Sequence, residues 1–109
     1  MEAAFKRGLD AIRERRYFEA HEELEIAWRA APADERDFDQ GLVHVAVAWY
    51  QAGRGRPVAT ARQLEKAARR LEPFAPAHRG IDVEGVVAQV RAAQARVAAG
   101  SLELEPPVV

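Results

Sequence analysis

Apolar residues recur along most of this chain at intervals of three and four, the spacing of one face of an α-helix. Phe5, Leu9 and Ile12 mark a first helix from about Glu2 to Glu14. Arg15-Arg16 reads as a short turn, because Tyr17 restarts the pattern in a new phase. The second helix then runs to about Ala30 and is stopped by Pro32. Asp34 suits the N-cap of a third helix, with Glu35 and Asp37 complementing its dipole, and Gly53 suits its end after about Ala52. That helix is apolar almost all round, from Phe38 and Leu42 to Trp49 and Tyr50, as only a buried central helix would be. Pro57 opens a fourth helix that turns Ala61, Leu64, Ala68 and Leu71 inward and stops before Pro73. A loop from Pro73 to Ile81 follows. Asp82 then caps a fifth helix that reaches about Ala99 and stops at Gly100. The pattern predicts an all-α bundle of five helices over residues 1–100, two hairpins plus a final helix. Residues 101–109 form an extended tail, either frayed or docked through Leu102 and Leu104. Leu24-Glu25 with Ala27 matches Leu64-Glu65 with Ala67 at an offset of forty, a hint that the hairpins repeat.

The second helix breaks its own pattern. At about 100° per residue, Tyr17, Phe18, His21, Leu24, Glu25 and Trp28 share one face, so a histidine and a carboxylate fall inside the apolar stripe. Burying such groups costs several kcal/mol unless they are paired or ligated. On the third helix Gln40, His44 and Gln51 form a narrow polar stripe with Val47. The favoured expectation is a closed structural network of His21, Glu25, Gln40 and His44, in which Glu25→Gln costs about 1–3 kcal/mol. A metal is the alternative: His21, Glu25 and His44 make two histidines and one carboxylate, a set that suits iron, zinc or manganese, with Glu22 as base or extra ligand. The His-Glu-x-x-His pair of zinc peptidases is absent. Trp28 is a candidate aromatic wall beside this pair. Gly41 in mid-helix implies a close approach, expected from the second helix.

Composition trims the remaining classes. With no cysteine, disulfides, zinc–thiolate sites and cysteine nucleophiles are excluded. Ser101 and Thr60 are the only hydroxyl nucleophile candidates of their kinds, which argues against covalent catalysis through them. The longest apolar run is far shorter than the ~20 residues of a membrane span, and no signal peptide is visible, so a cytoplasmic location without membrane contact is expected. A formal net charge of -1 argues against nucleic acid as partner. The charge is nevertheless polarised: the first forty residues are acidic, whereas Arg54, Arg56, Arg62, Lys66, Arg69, Arg70 and Arg79 make the later stretch basic. Arginine far outnumbers lysine and asparagine is absent, a bias that heat adaptation or a GC-rich genome would both produce.

The string Tyr17-Phe18-Glu19-Ala20-His21-Glu22, with Leu24-Glu25 and Trp28, is followed by Phe38-Asp39-Gln40-Gly41-Leu42 and by Leu71-Glu72-Pro73-Phe74. In these motifs the chain resembles a small bacterial and plastid family known as domain of unknown function 309, over roughly residues 3 to 90. The resemblance implies an all-helical fold and no assigned reaction, and it maps onto His21, Glu22, Glu25, Trp28, Gln40 and Gly41. The leading expectation is a non-enzymatic domain that works as a homodimer or with a protein partner. Its alternatives are a small metal-dependent or acid–base enzyme built on His21, Glu22, Glu25 and His44, and, third, a nucleic-acid module using the basic fourth helix.

Overall fold

A computed structural model describes residues 2–109. Five α-helices follow one another, α1 Glu2–Arg13, α2 Tyr17–Ala30, α3 Arg36–Gly53, α4 Pro57–Leu71 and α5 Val83–Ala98, with a single 3₁₀ turn at Glu72–Phe74 between the last two. Among the described residues no helix is long and apolar enough to cross a membrane. Each helix packs chiefly on its neighbours in sequence: α1 on α2, α2 on α3, α3 on α4 and α4 on α5. The result is a serial stack with α3 at its centre. Phe38, Leu42 and Val45 of α3 are fully buried, together with Ile12, Leu24, Leu64, Leu71, Val83 and Val90 from the other four helices. Each such side chain contributes about 1.5–3 kcal/mol by leaving water.

Helix ends explain the order. α1 stops where Arg15 adopts φ 61°, with Arg15 N donating to Ile12 O and Arg16 N to Ala11 O. α3 stops in the same way at Gly55, φ 71°, with Gly55 N donating to Ala52 O and Arg56 N to Gln51 O. Both are Schellman caps, which use a left-handed residue to satisfy the last carbonyls. The stop of α3 is therefore Gly55; Gly53, expected as the end signal, is still helical. Asp34 does not cap α3. The helix starts at Arg36 after a turn, and no side chain caps it. Asp82 does cap α5, accepting from Gly85 N at 2.9 Å.

The forty-residue offset is structural. It pairs Arg15 with Gly55 and the first residues of α2 and α4, and it pairs Ala20 with Thr60, Leu24 with Leu64 and Ala27 with Ala67, all six of them buried. The stack is thus two helix–turn–helix units plus α5. Close approaches fall elsewhere than expected. A Cβ at Gly41 would lie 2.6 Å from Leu71 of α4, so α4 and not α2 presses on this glycine. The close contact of α2 is with α1, where a Cβ at Gly8 would lie 2.5 Å from Leu24.

Candidate functional site

The buried stripe of α2 is narrow: Ala20, Leu24 and Ala27. Two of the three are alanines, so α2 lies low between its neighbours and its bulkier residues are left at the edge of the contact. Phe18 is 46% exposed and Ile26 48% exposed, while Tyr17, His21, Glu25 and Trp28 are half-buried. The expectation that Phe18, His21, Glu25 and Trp28 point into a closed core is therefore corrected, because the face is rotated towards solvent.

His21 and Glu25 do meet. His21 Nδ1 donates to Phe18 O at 2.7 Å, which leaves Nε2 facing Glu25 Oε1 at 3.5 Å. The second carboxylate oxygen of Glu25 lies 3.3 Å from Arg29. The Phe18 ring packs at a tilt against His21, centroids 5.0 Å apart, and against Tyr50 of α3, 5.4 Å apart. Between α2 and α3 lies a cavity of about 210 Å³ lined by Phe18, His21, Val47, Tyr50 and Gln51. Gln51 Oε1 is buried without a hydrogen-bond partner among the described residues. On the outer side a shallow hollow runs over Phe18, His21, Glu22, Glu25, Ile26 and Arg29. Trp28 is half-buried and lines neither hollow.

His44 and Gln40 do not join them. His44 Nδ1 donates to Gln63 Oε1 of α4 at 2.7 Å, and its buried Nε2 has no partner among the described residues. Burial pushes this imidazole below its ordinary value. The bond to Gln63 works against the shift, and Arg70, Lys66 and Arg69 add to it. No hydrogen bond links Gln40 to His21, Glu25 or His44 among the described residues. The expected four-residue network is thus split into a half-exposed pair on α2 and a neutral His44–Gln63 pair between α3 and α4. Among the described residues no group of three or more histidine or carboxylate side chains is placed to hold a metal, so the set of His21, Glu25 and His44 is not assembled as a ligand sphere.

The most buried ion-pair cluster among the described residues lies elsewhere. Asp39 has no exposed surface, and Arg79 reaches both its oxygens at 3.3 and 3.2 Å and Glu35 at 3.1 Å. His78 Nε2 donates to Glu35 at 2.9 Å. The Arg79 guanidinium lies 4.2 Å above the Phe5 ring and 5.2 Å from that of Phe38. Burial pushes the Asp39 carboxyl up, and Arg79 pulls it back. The hydrogen bond from His78, ahead of that from Arg79, holds Glu35 below the usual carboxylate range. Arg79 and Gly80, at φ 49° and 78°, form a tight turn closed by the bridge between His78 and Ile81. One signal for this cluster was in the sequence: Asp39 sits between Phe38 and Leu42 on a helix with no free face.

A family model described as a domain of unknown function (DUF309) matches residues 5–63, more than half the chain. The chain belongs to this family. The DUF309 match spans α1 to the first half of α4, which is narrower than the 3 to 90 expected, and it takes in His21, Glu22, Glu25, Gln40 and His44 but not His78, Arg79 or the C-terminal segment. No curated protein and no solved structure matches the chain.

Proposed function

We propose that this DUF309 protein is an association domain and not an enzyme, and that the α2 face receives the basic α4 face of a second copy. The carrying observation is the pair Phe18 and Ile26, each about half exposed on either side of His21 and Glu25. Burying large apolar side chains left on a surface is the usual gain of an interface. Charge supports the choice of occupant. Glu19, Glu22, Glu23 and Glu25 line α2, whereas α4 carries Arg62, Lys66, Arg69 and Arg70. Beside them α4 and α5 form an open apolar hollow over Pro57, Val58, Ala61 and Val97, with Val58 63% exposed. Such a contact is head-to-tail, because the two surfaces differ. Light scattering tests it. The mass should rise with concentration at low salt, fall towards the monomer in about 0.5 M salt, where screening is short-ranged, and stay monomeric for Ile26→Ser combined with Val58→Ser. A monomer at every concentration at low salt would remove the reading.

One observation favours a second reading. His21, its ring fixed by the Nδ1 bond to Phe18, lines a cavity that Gln51 also lines, and the Gln51 side-chain oxygen is buried without a partner among the described residues. An acid–base reaction at His21, with Glu25 supporting its charged form, would use that arrangement and needs no metal. Saturable binding of a small molecule that His21→Ala abolishes would favour it over association.

A further inference from the structure

Residues 101–109 run back along α5 and touch α3 and α1. The segment is extended, and α5 releases it through Gly100 at φ 92° in a third Schellman cap. Nearly all its polar contacts address main-chain atoms. Trp49 Nε1 donates to Glu105 O at 2.9 Å and Arg96 to Glu103 O at 3.2 Å. Gln89 grips Val108 from both sides, donating to its carbonyl at 2.9 Å and accepting from its amide at 2.7 Å. Arg13 of α1 reaches Val109 O at 3.0 Å. Leu104 packs on the core and Pro107 is buried. A side-chain amide that pairs with both main-chain groups of one residue recognises an extended backbone, whatever side chain that residue carries.

The resident segment fits imperfectly. A cavity of about 230 Å³ remains between it and the helices, lined by Trp49, Ala92, Ala93, Leu104 and Pro106 among others. The alanines and the indole face make its inner wall apolar, and Pro106 does not fill it. Arg13 and Arg96 stand towards the two ends of the segment, each bonded to one of its main-chain carbonyls; Arg13 also pairs with Asp10, whereas Arg96 meets no carboxylate among the described residues, that of Glu103 included.

We propose that this groove is a receptor for an extended acidic peptide of another protein, one with a large apolar side chain at the place of Pro106, and that residues 101–109 are its built-in competitor. Main-chain recognition makes the site tolerant of a foreign sequence. The unneutralised charge of Arg96 selects an acidic one, and the unfilled cavity lets a better-fitting peptide displace the resident. The intramolecular segment has a high effective concentration, so it weakens the apparent affinity of any peptide arriving from outside. The proposal does not depend on the α2 face, and variants at Gln89 and Leu104 leave that face intact.

The test uses two labelled nine-residue peptides, Ser-Leu-Glu-Leu-Glu-Pro-Pro-Val-Val and the same sequence with Pro106→Phe, titrated into the full chain and into its Leu104→Asp variant, which frees the groove. Leu104→Asp should bind the first peptide about tenfold more tightly than the unaltered chain does, and the second more tightly still. Adding Gln89→Ala should weaken both by about tenfold. A helical, cooperatively folded Leu104→Asp chain that binds neither peptide overturns the proposal, as does binding that Gln89→Ala leaves unchanged. If Leu104→Asp does not fold, excess Pro106→Phe peptide is added to the unaltered chain and hydrogen exchange is read at the Val108 amide. Faster exchange supports displacement, and unchanged exchange overturns it. An unaltered dimer that the first peptide splits into monomers would place a second copy's segment in the groove and overturn the foreign occupant.

Discussion

Asp39 places a carboxylate without exposed surface on a helix that is apolar on nearly every side, and among the described residues the Arg79 guanidinium is the cation that answers it. Removing one partner of such a pair leaves a buried charge unpaired, so Arg79→Ala should cost about 3–5 kcal/mol in denaturant unfolding. Arg79→Met combined with Asp39→Leu should recover much of that loss, since an apolar pair has no charge to desolvate. By contrast Glu25 sits at a half-exposed edge, and Glu25→Gln should change stability by less than about 0.5 kcal/mol. The sequence flagged His21 and Glu25 because they interrupt an apolar stripe, and they do pair. It could not show that the alanines at positions 20 and 27 would let the stripe rotate outward, and it gave Asp39 no role beyond its place in the family string, because its partner lies forty residues away in a loop. His44 carries the pH dependence. Its folded pKa lies below the ordinary 6.5, so the unfolded chain takes up the proton first as pH falls. The stability contributed by neutral His44 is present above 6.5 and is lost below it, down to the depressed folded value. The melting temperature should therefore fall as pH drops from 7 towards 5, and His44→Gln should flatten that part of the profile.

At the scale of the element, the two hairpins show the same turn solved with different residues. Gly55 takes φ 71° freely, whereas Arg15, at φ 61°, holds a side chain in the left-handed region at a cost of roughly 1–2 kcal/mol. Arg15→Gly should therefore stabilise the chain by about 0.5–1 kcal/mol in thermal unfolding, despite the greater freedom it gives the unfolded state. Gly8→Ala should go the other way. The ~1 kcal/mol that alanine brings to a helix interior is outweighed by its methyl meeting fully buried Leu24, and overpacking costs about 1–3 kcal/mol. All five helices were legible, because an apolar period of 3.6 survives any detail of packing. Their ends were less so: Gly53 and Asp34 have the right chemistry for caps, yet the backbone turns two residues after the one and one residue after the other. The forty-residue echo was faint in residue identities because a repeat of this kind preserves which positions are buried, and alanine, leucine and threonine all satisfy burial.

For the molecule as a whole, serial packing means that no helix touches all the others, and α1 and α5 each rest mainly on one neighbour. The Arg13–Val109 contact joins residues 96 apart in sequence and returns the chain from the last helix to the first. A contact of that span pays its loop-closure entropy only after the intervening helices are in place, so it is expected to form last in folding and to open first under native conditions. Hydrogen exchange at Val108 should accordingly report an opening free energy well below that of global unfolding, and Trp49→Phe, which removes the donor to Glu105, should lower it by about 1 kcal/mol more. What looks like a strap on a finished fold therefore also sets its kinetics. A bundle of local contacts can assemble quickly, while its final closure remains a separate, slower and individually reversible event, and a protease meeting the native chain would cut there long before any helix came apart.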